Sequence, residues 1–320
     1  MTLLSIESFY LVVGIILGVI AVRIALDADH PSRWGSSLFW ALFAATFLLG
    51  KQVSPLVIGY LLIAMVVLAA LQQVKKSRET TASKPERIAS AARLGFRIFL
   101  PALLIPVVVV LGSLLFRFFQ VGNLRLASAA DATLVALGTA GLVALAAAMF
   151  VTRAPAATAV KEGSRLLQTI GWPLILPQML AALGGIFAKA GVGEVVAKLV
   201  GNALPTQIPF VAVAAYCAGM AIFTIIMGNA FAAFAVITGG IGLPLIVQQH
   251  GGNPAIMAAL GMLAGYCGTL CTPMAANFNL VPAMLLELND HHAVIKAQLP
   301  FAAIIFFFNL MMMWLLVFRF

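Results

Sequence analysis

The chain has 320 residues, of which 63% are hydrophobic and only 9% charged, with a formal net charge of +9. Soluble domains carry about 25% charged residues, so this composition excludes an ordinary soluble domain and calls for a bilayer as solvent. The positive charge does not point to nucleic acid, because the cations sit between apolar runs, as the positive-inside rule produces.

Apolar runs of about 20 residues recur along the chain, each long enough for roughly 30 Å of hydrocarbon. Lipid offers the backbone no hydrogen-bond partner, so spans must be helices or a closed barrel. Continuous rather than alternating runs select helices, and the expected fold class is all-α, a polytopic transmembrane protein. The first span covers residues 9–26 and reads as retained rather than as a cleaved signal, since no basic region precedes it. Spans at 34–50 and 53–71 follow, Lys51 lying between them. The stretch 72–97 is the one long polar segment, and its Lys75, Lys76, Arg78, Lys84, Arg87, Arg93 and Arg97 make it cytoplasmic. Further spans are expected at 98–119, 133–151 and 172–188, with a basic loop carrying Arg153, Lys161 and Arg165 before the last of these. Residues 192–200 form a weakly amphipathic piece. The domain reading is N-terminal spans over 1–72, a basic linker over 73–97 and a transport-type repeat over 98–320. Together with a periplasmic N-terminus, this puts the greater part of the Lys and Arg residues inside, and the localisation expected is a bacterial inner membrane, multi-pass.

From Leu199 to Leu286 there is no Asp, Glu, Lys or Arg. That is too long for one crossing. It reads either as ordinary small-residue helices packed closely or as a re-entrant hairpin, about 206–247, followed by a discontinuous helix, about 254–288. Irregular backbone at membrane depth is tolerated only where protein or a watery cavity covers it, and Gly/Pro interruptions point to transporter binding sites. The final span, 299–318, is nearly all Phe, Ile, Leu and Met and is assigned only packing or lipid contact.

Three constellations could carry chemistry. In Met227-Gly228-Asn229-Ala230, Gly228 permits a turn and close approach. Asn229 can donate and accept, and free N–H groups at the following helix start would attract an anion; the alternative is Asn229 as glue between helices. In Gly265-Tyr266-Cys267-Gly268-Thr269-Leu270-Cys271-Thr272-Pro273, Gly268 and Pro273 should unwind about one turn. The freed carbonyls and the Thr269 and Thr272 hydroxyls would suit sodium, or Thr272 satisfies only its own helix. Asn277 and Asn279, just beyond, either bind a ligand or join helices. Glu287 is a candidate proton-coupling group or the wet end of a helix leading to Asp290, His291 and His292. Cys217, Cys267 and Cys271 lie in apolar stretches, so neither a disulfide framework nor a metal site is expected. No Ser/His/Asp set, HExxH or phosphate loop is present, and the chain reads as a non-enzyme.

The part from about Pro101 onward resembles the second half of the ion transporter superfamily of carboxylate carriers. The resemblance rests on Pro101-Ala102-Leu103-Leu104-Ile105-Pro106, Gly184-Gly185-Ile186-Phe187 before Gly191-Val192-Gly193, the Gly228-Asn229-Ala230 tip, Gly242-Leu243-Pro244 and the Gly268 to Pro273 break. More closely, the whole chain resembles an uncharacterised membrane family found as one of two subunits of a 5-oxoproline (pyroglutamate) uptake system. The superfamily likeness implies inverted repeats, each with a hairpin and a broken helix, around a midplane anion site. Only one hairpin and one break are found here, which implies a second membrane subunit supplying the other half. The expected function is therefore that of a membrane subunit of a secondary transporter, a symporter of a small organic anion driven by sodium or protons. The alternatives are a non-transporting structural partner of another membrane protein and, third, a membrane-embedded enzyme. No cofactor beyond a sodium ion is expected, and no nucleic-acid partner.

Overall fold

In the computed structural model the described residues are 4–78, 83–118, 120–121, 124–125, 127–128, 131–286 and 288–319. They are helical almost throughout, apart from a small antiparallel pairing of Gln120–Val121 with Leu124–Arg125. Among them, six helical runs are long and apolar enough to cross a membrane. Their outward side chains, such as Leu11, Ile15, Leu103, Leu111, Phe307 and Phe308, are exposed, as lipid contact requires. The protein is a multi-pass helical membrane protein. By backbone contacts it divides into two compact units, Met1–Gly171 and Trp172–Phe320, and both ends of the basic stretch at 73–97 fall inside the first.

In the first unit, α1 (Ile6–Leu26) and α2 (Arg33–Leu48) form a hairpin. Phe39 and Trp40 of α2 are wholly buried, and Leu17, Ile20 and Ile24 of α1 nearly so. α2 and α3 (Pro55–Ala70) have 16 residues each, about 24 Å at 1.5 Å per residue, so they fall short of the hydrocarbon thickness that the sequence reading assigned them. The basic stretch is not merely a linker. Its second half forms α4 (Lys84–Leu94), opened by a capping box in which the Ser83 hydroxyl accepts from the Glu86 N–H and the Glu86 carboxylate accepts from the Ser83 N–H. A 3₁₀ turn, Gly95–Phe99, then runs into α5 (Leu100–Phe118).

α5 pairs with α6 (Ala132–Thr152). At Gly112 a Cβ would sit 3.1 Å from that of Ala136, so small residues let the two backbones come close. The second basic loop is also a helix, α7 (Ala156–Ile170). Its polar and apolar residues separate onto opposite faces, and its buried Gln168 meets the buried His30, Nε2 to Oε1 3.1 Å, while donating to Ser164 Oγ at 3.0 Å. Basic residues marked the segment as cytoplasmic, but its length and amphipathic spacing are those of a helix.

The second unit begins with a 3₁₀ turn, Trp172–Ile175, then α8 (Leu176–Lys189) and α9 (Val192–Ala203). α8 has 14 residues, too few for the span expected there. α10 (Pro209–Met227) turns at Gly228 and Asn229 into α11 (Ala230–Ile237), which continues without interruption as a wider π-helix over Thr238–Gln249. Gly239, Gly240, Gly242 and Pro244 lie in that widened part, where glycines and a missing N–H weaken ordinary α bonding. Both arms of this hairpin are span-length, 19 and 20 residues. α12 (Pro254–Thr269) stops at Thr269, residues 270–279 are turns, and α13 (Leu280–Leu285) and α14 (Ala293–Leu316) complete the unit. The discontinuity is thus wider than the single turn expected from Gly268 and Pro273.

The core of this unit gathers Tyr216, Cys217 and Met220 of α10 with Ile237, Ile241, Met257 and Met313. Glycines at 242 and 261 leave room for the Tyr216 ring, whose hydroxyl meets the Thr238 hydroxyl at 2.8 Å in the buried interior. A buried hydroxyl pair of this kind satisfies both groups without water.

Candidate functional site

The hairpin tip and the broken helix meet. Gly228 ends α10 with φ +72, a left-handed backbone that favours glycine, and a Cβ there would lie 2.6 Å from the Met274 carbonyl carbon and oxygen. Both its conformation and its clearance therefore require glycine. Next to it, Asn229 is the N-cap of α11. Its Oδ1 accepts from the Phe231 N–H at 2.9 Å and the Ala232 N–H at 3.4 Å. Two of the helix-start N–H groups expected to attract an anion are thus already capped by the residue expected to bind it. What Asn229 still offers is its Nδ2, which has no hydrogen-bond acceptor among the described residues.

Between tip and break lies a pocket of about 220 Å³, lined by Gly228, Asn229, Thr269 and Asn277, by Phe231, Tyr266 and Phe278, and on its α8 side by Leu176, Pro177 and Leu180. No charged side chain lines it. Tyr266 packs edge-on to Phe231 with ring centroids 6.1 Å apart and lies 6.3 Å from Phe278. The pocket therefore combines aromatic surfaces with two side-chain amides. The Asn277 amide is exposed and has no hydrogen-bond partner among the described residues.

The break itself is held from within. Asn279 is wholly buried, and its Nδ2 donates to the Thr269 carbonyl at 2.8 Å and the Thr272 carbonyl at 2.7 Å. The freed carbonyls expected to face a cation thus have protein donors: Thr272 also accepts from the Ala275 N–H at 3.3 Å, and Thr269 keeps a second lone pair. The Asn279 Oδ1 is buried without a partner. Thr269 Oγ1 turns back to the Tyr266 carbonyl at 2.6 Å, and Thr272 Oγ1 accepts from the Met274 N–H at 3.2 Å. Both hydroxyls serve local backbone, which is the plainer of the two roles open to Thr272. Gly268 packs against the Ala221 carbonyl and Thr224 of α10, leaving no room for a side chain. Pro273 sits exposed inside the break.

Of the residues singled out from sequence, then, Gly228, Asn229, Thr269 and Asn277 line one pocket. Gly268, Thr272, Pro273 and Asn279 shape the break beside it. Glu287 lies outside the described residues. Just beyond it, Asp290 is exposed, and hydrogen bonds from Lys296 Nζ at 2.7 Å and from the His292 N–H hold its carboxyl below the usual range.

Several buried polar groups escaped the sequence reading. Thr224, on α10, is wholly buried with its Oγ1 unpartnered. Asn309, in the final span that was assigned only packing or lipid contact, is buried and directs Nδ2 toward Cys267 Sγ at 3.8 Å. A single asparagine inside an apolar 24-residue helix was the available signal. The motif glycines also find their reason in packing: Gly184 of α8 lies against Ala232 of α11, and Gly193 of α9 against Gly240. Among the described residues no group of three or more His, Cys, Asp or Glu side chains comes together.

No curated protein and no solved structure matches the chain. One family does, described as "Protein of unknown function (DUF979)", over residues 7–318. Since that match covers nearly the whole chain, the protein belongs to the DUF979 family.

Proposed function

We propose that this protein is the membrane subunit of a secondary transporter for a small organic anion, with 5-oxoproline as the first substrate to test. The observation that carries this reading is the meeting of a hairpin tip with a discontinuous helix at a small amide-lined pocket. Interrupted helices that bring irregular backbone to a cavity are how helical carriers build binding sites. The Asn229 and Asn277 amides can donate to a carboxylate or a ring carbonyl, and the aromatic side chains can cover a small ring. A lining without Lys or Arg fits weak, reversible binding, which a carrier needs for release.

Coupling to sodium draws support from the unpartnered Asn279 Oδ1 and from the remaining lone pair of the Thr269 carbonyl. These are the hard oxygen ligands such an ion prefers. Coupling to protons through Glu287 is the other form of the same proposal. The single hairpin and break favour a second membrane subunit that completes the site, and the pocket's chemistry reads as that of a carrier rather than an enzyme. The inner membrane of a bacterium is the proposed location.

One observation favours the rival reading, a structural partner of another membrane protein: Asn229 already has a job as a helix cap. Counterflow in proteoliposomes separates the two. With the protein and its candidate partner subunit present, sodium- or proton-dependent exchange of labelled 5-oxoproline or another small carboxylate is expected. Exchange by the partner alone, at the same rate as the pair, would leave this chain a structural role.

A further inference from the structure

A second pocket lies in the first unit and is lined by none of the residues of the candidate site. It encloses about 920 Å³ at the end of the α5–α6 pair where α5 begins and α6 finishes. Three arginines frame it from separate segments: Arg93 in the last turn of α4, Arg97 in the 3₁₀ turn, and Arg153 at the C-cap of α6. None has an ion-pair partner among the described residues, and no Asp or Glu lines the pocket. The rest of its lining is apolar side chains, Leu100, Met149 and Phe150 among them. Phe150 is 85% exposed and Phe96, beside Arg97, 90% exposed.

We propose that this pocket binds the phosphate headgroup of an anionic glycerophospholipid. Guanidiniums match phosphate oxygens in a planar, bidentate fashion. Basic pockets at the cytoplasmic ends of transmembrane helices take anionic headgroups. The positive-inside rule alone accounts for cations at this end of the helices, but not for three of them converging on one cavity without a carboxylate. Arg153 also sits at φ +57, a left-handed position where helices usually end in glycine or asparagine. At that turn Arg153 lines the pocket. The C-terminus of α6 carries partial negative charge, so the arginine side chains, not the backbone, are the anion-holding groups. The apolar wall decides between anions. A free phosphate gains nothing from Leu100, Met149 and Phe150, whereas a lipid lays its glycerol and first methylenes against them. The volume is ample for a headgroup with the start of its chains.

The test uses the full-length protein, purified and delipidated, with native mass spectrometry reading retained lipid. Phosphatidylglycerol is expected to be retained at least tenfold more than phosphatidylcholine, and Arg93→Gln/Arg97→Gln/Arg153→Gln should abolish that preference with an unchanged helical circular dichroism spectrum. Equal retention of the two lipids, or a preference that survives the triple substitution, overturns the proposal. So does full displacement of phosphatidylglycerol by millimolar inorganic phosphate, since the site would then belong to a free anion. Should the triple variant fail to purify, Arg153→Gln alone decides: a threefold or greater loss of preference supports the site, and no change removes it.

Discussion

Asn279 and Thr269 are tied across the discontinuity of the broken helix, the Asn279 amide donating to the Thr269 carbonyl at 2.8 Å and, with the same nitrogen, to Thr272 at 2.7 Å. Asn279→Ala would strand the Thr269 carbonyl, at about 1–3 kcal/mol for an unsatisfied buried group, and would leave Thr272 only its bond from the Ala275 N–H. The variant is expected to melt several degrees lower in detergent, as read by tryptophan fluorescence or by exposure of its buried thiols. A melting temperature equal to that of the parent would mean the brace does not form.

Asn229 combines two roles that substitutions can separate. Serine retains a capping oxygen of similar quality but has no amide nitrogen, whereas alanine removes the cap at about 1 kcal/mol. Asn229→Ser is therefore expected to keep the parent's thermal stability and to weaken apparent affinity for the counterflow substrate about tenfold, or 1.4 kcal/mol. Parent-like affinity in the serine variant would assign Asn229 to capping alone.

Gly228 is constrained twice, by φ +72 and by the Met274 carbonyl, which would lie 2.6 Å from an added Cβ. An L-residue in the left-handed region loses about 1–2 kcal/mol, and the contact is with backbone that cannot swing aside. Gly228→Ala should lower both stability and transport, with the tip displaced from the break. A variant as stable and as active as the parent would place the tip and the break apart.

The orientation of the first unit can be tested on α4. Ala91 is exposed on that helix. In a background lacking Cys217, Cys267 and Cys271, Ala91→Cys is expected to resist a membrane-impermeant maleimide in intact cells and to react once they are permeabilised. Labelling of intact cells would reverse the orientation drawn from the basic residues.

Pro273 carries less of the break than its chemistry suggests. Residues 270–279 stay non-helical over more than a proline alone dictates, held by Asn279 and by the Thr272 hydroxyl on the Met274 N–H. Pro273→Ala is expected to change melting temperature by no more than a degree or two and to leave the break open. Protection of the amides at 274–276 from hydrogen exchange, on the scale of a regular helix, would show instead that proline was the cause.

By itself the sequence determined the class of molecule, the approximate position of most helices, the turn at Gly228-Asn229 and the start of the discontinuity at Gly268 to Pro273. Those features are local. Hydrocarbon demands continuous apolar runs, and glycine and proline act on the backbone where they stand. Lengths were less legible, as α2, α3 and α8 fall short of a crossing, and the basic segments holding α4 and α7 read as loops because charge masked their helical spacing. Only the tertiary structure decided what meets what. It joined Asn229 to Thr269 and Asn277 around one pocket, gave the break's carbonyls to Asn279, placed Asn309 against Cys267, and gathered Arg93, Arg97 and Arg153 around another. Residues far apart in the chain become neighbours through helix packing, and a hydrogen bond's partner is chosen by that packing rather than by the composition of its own segment.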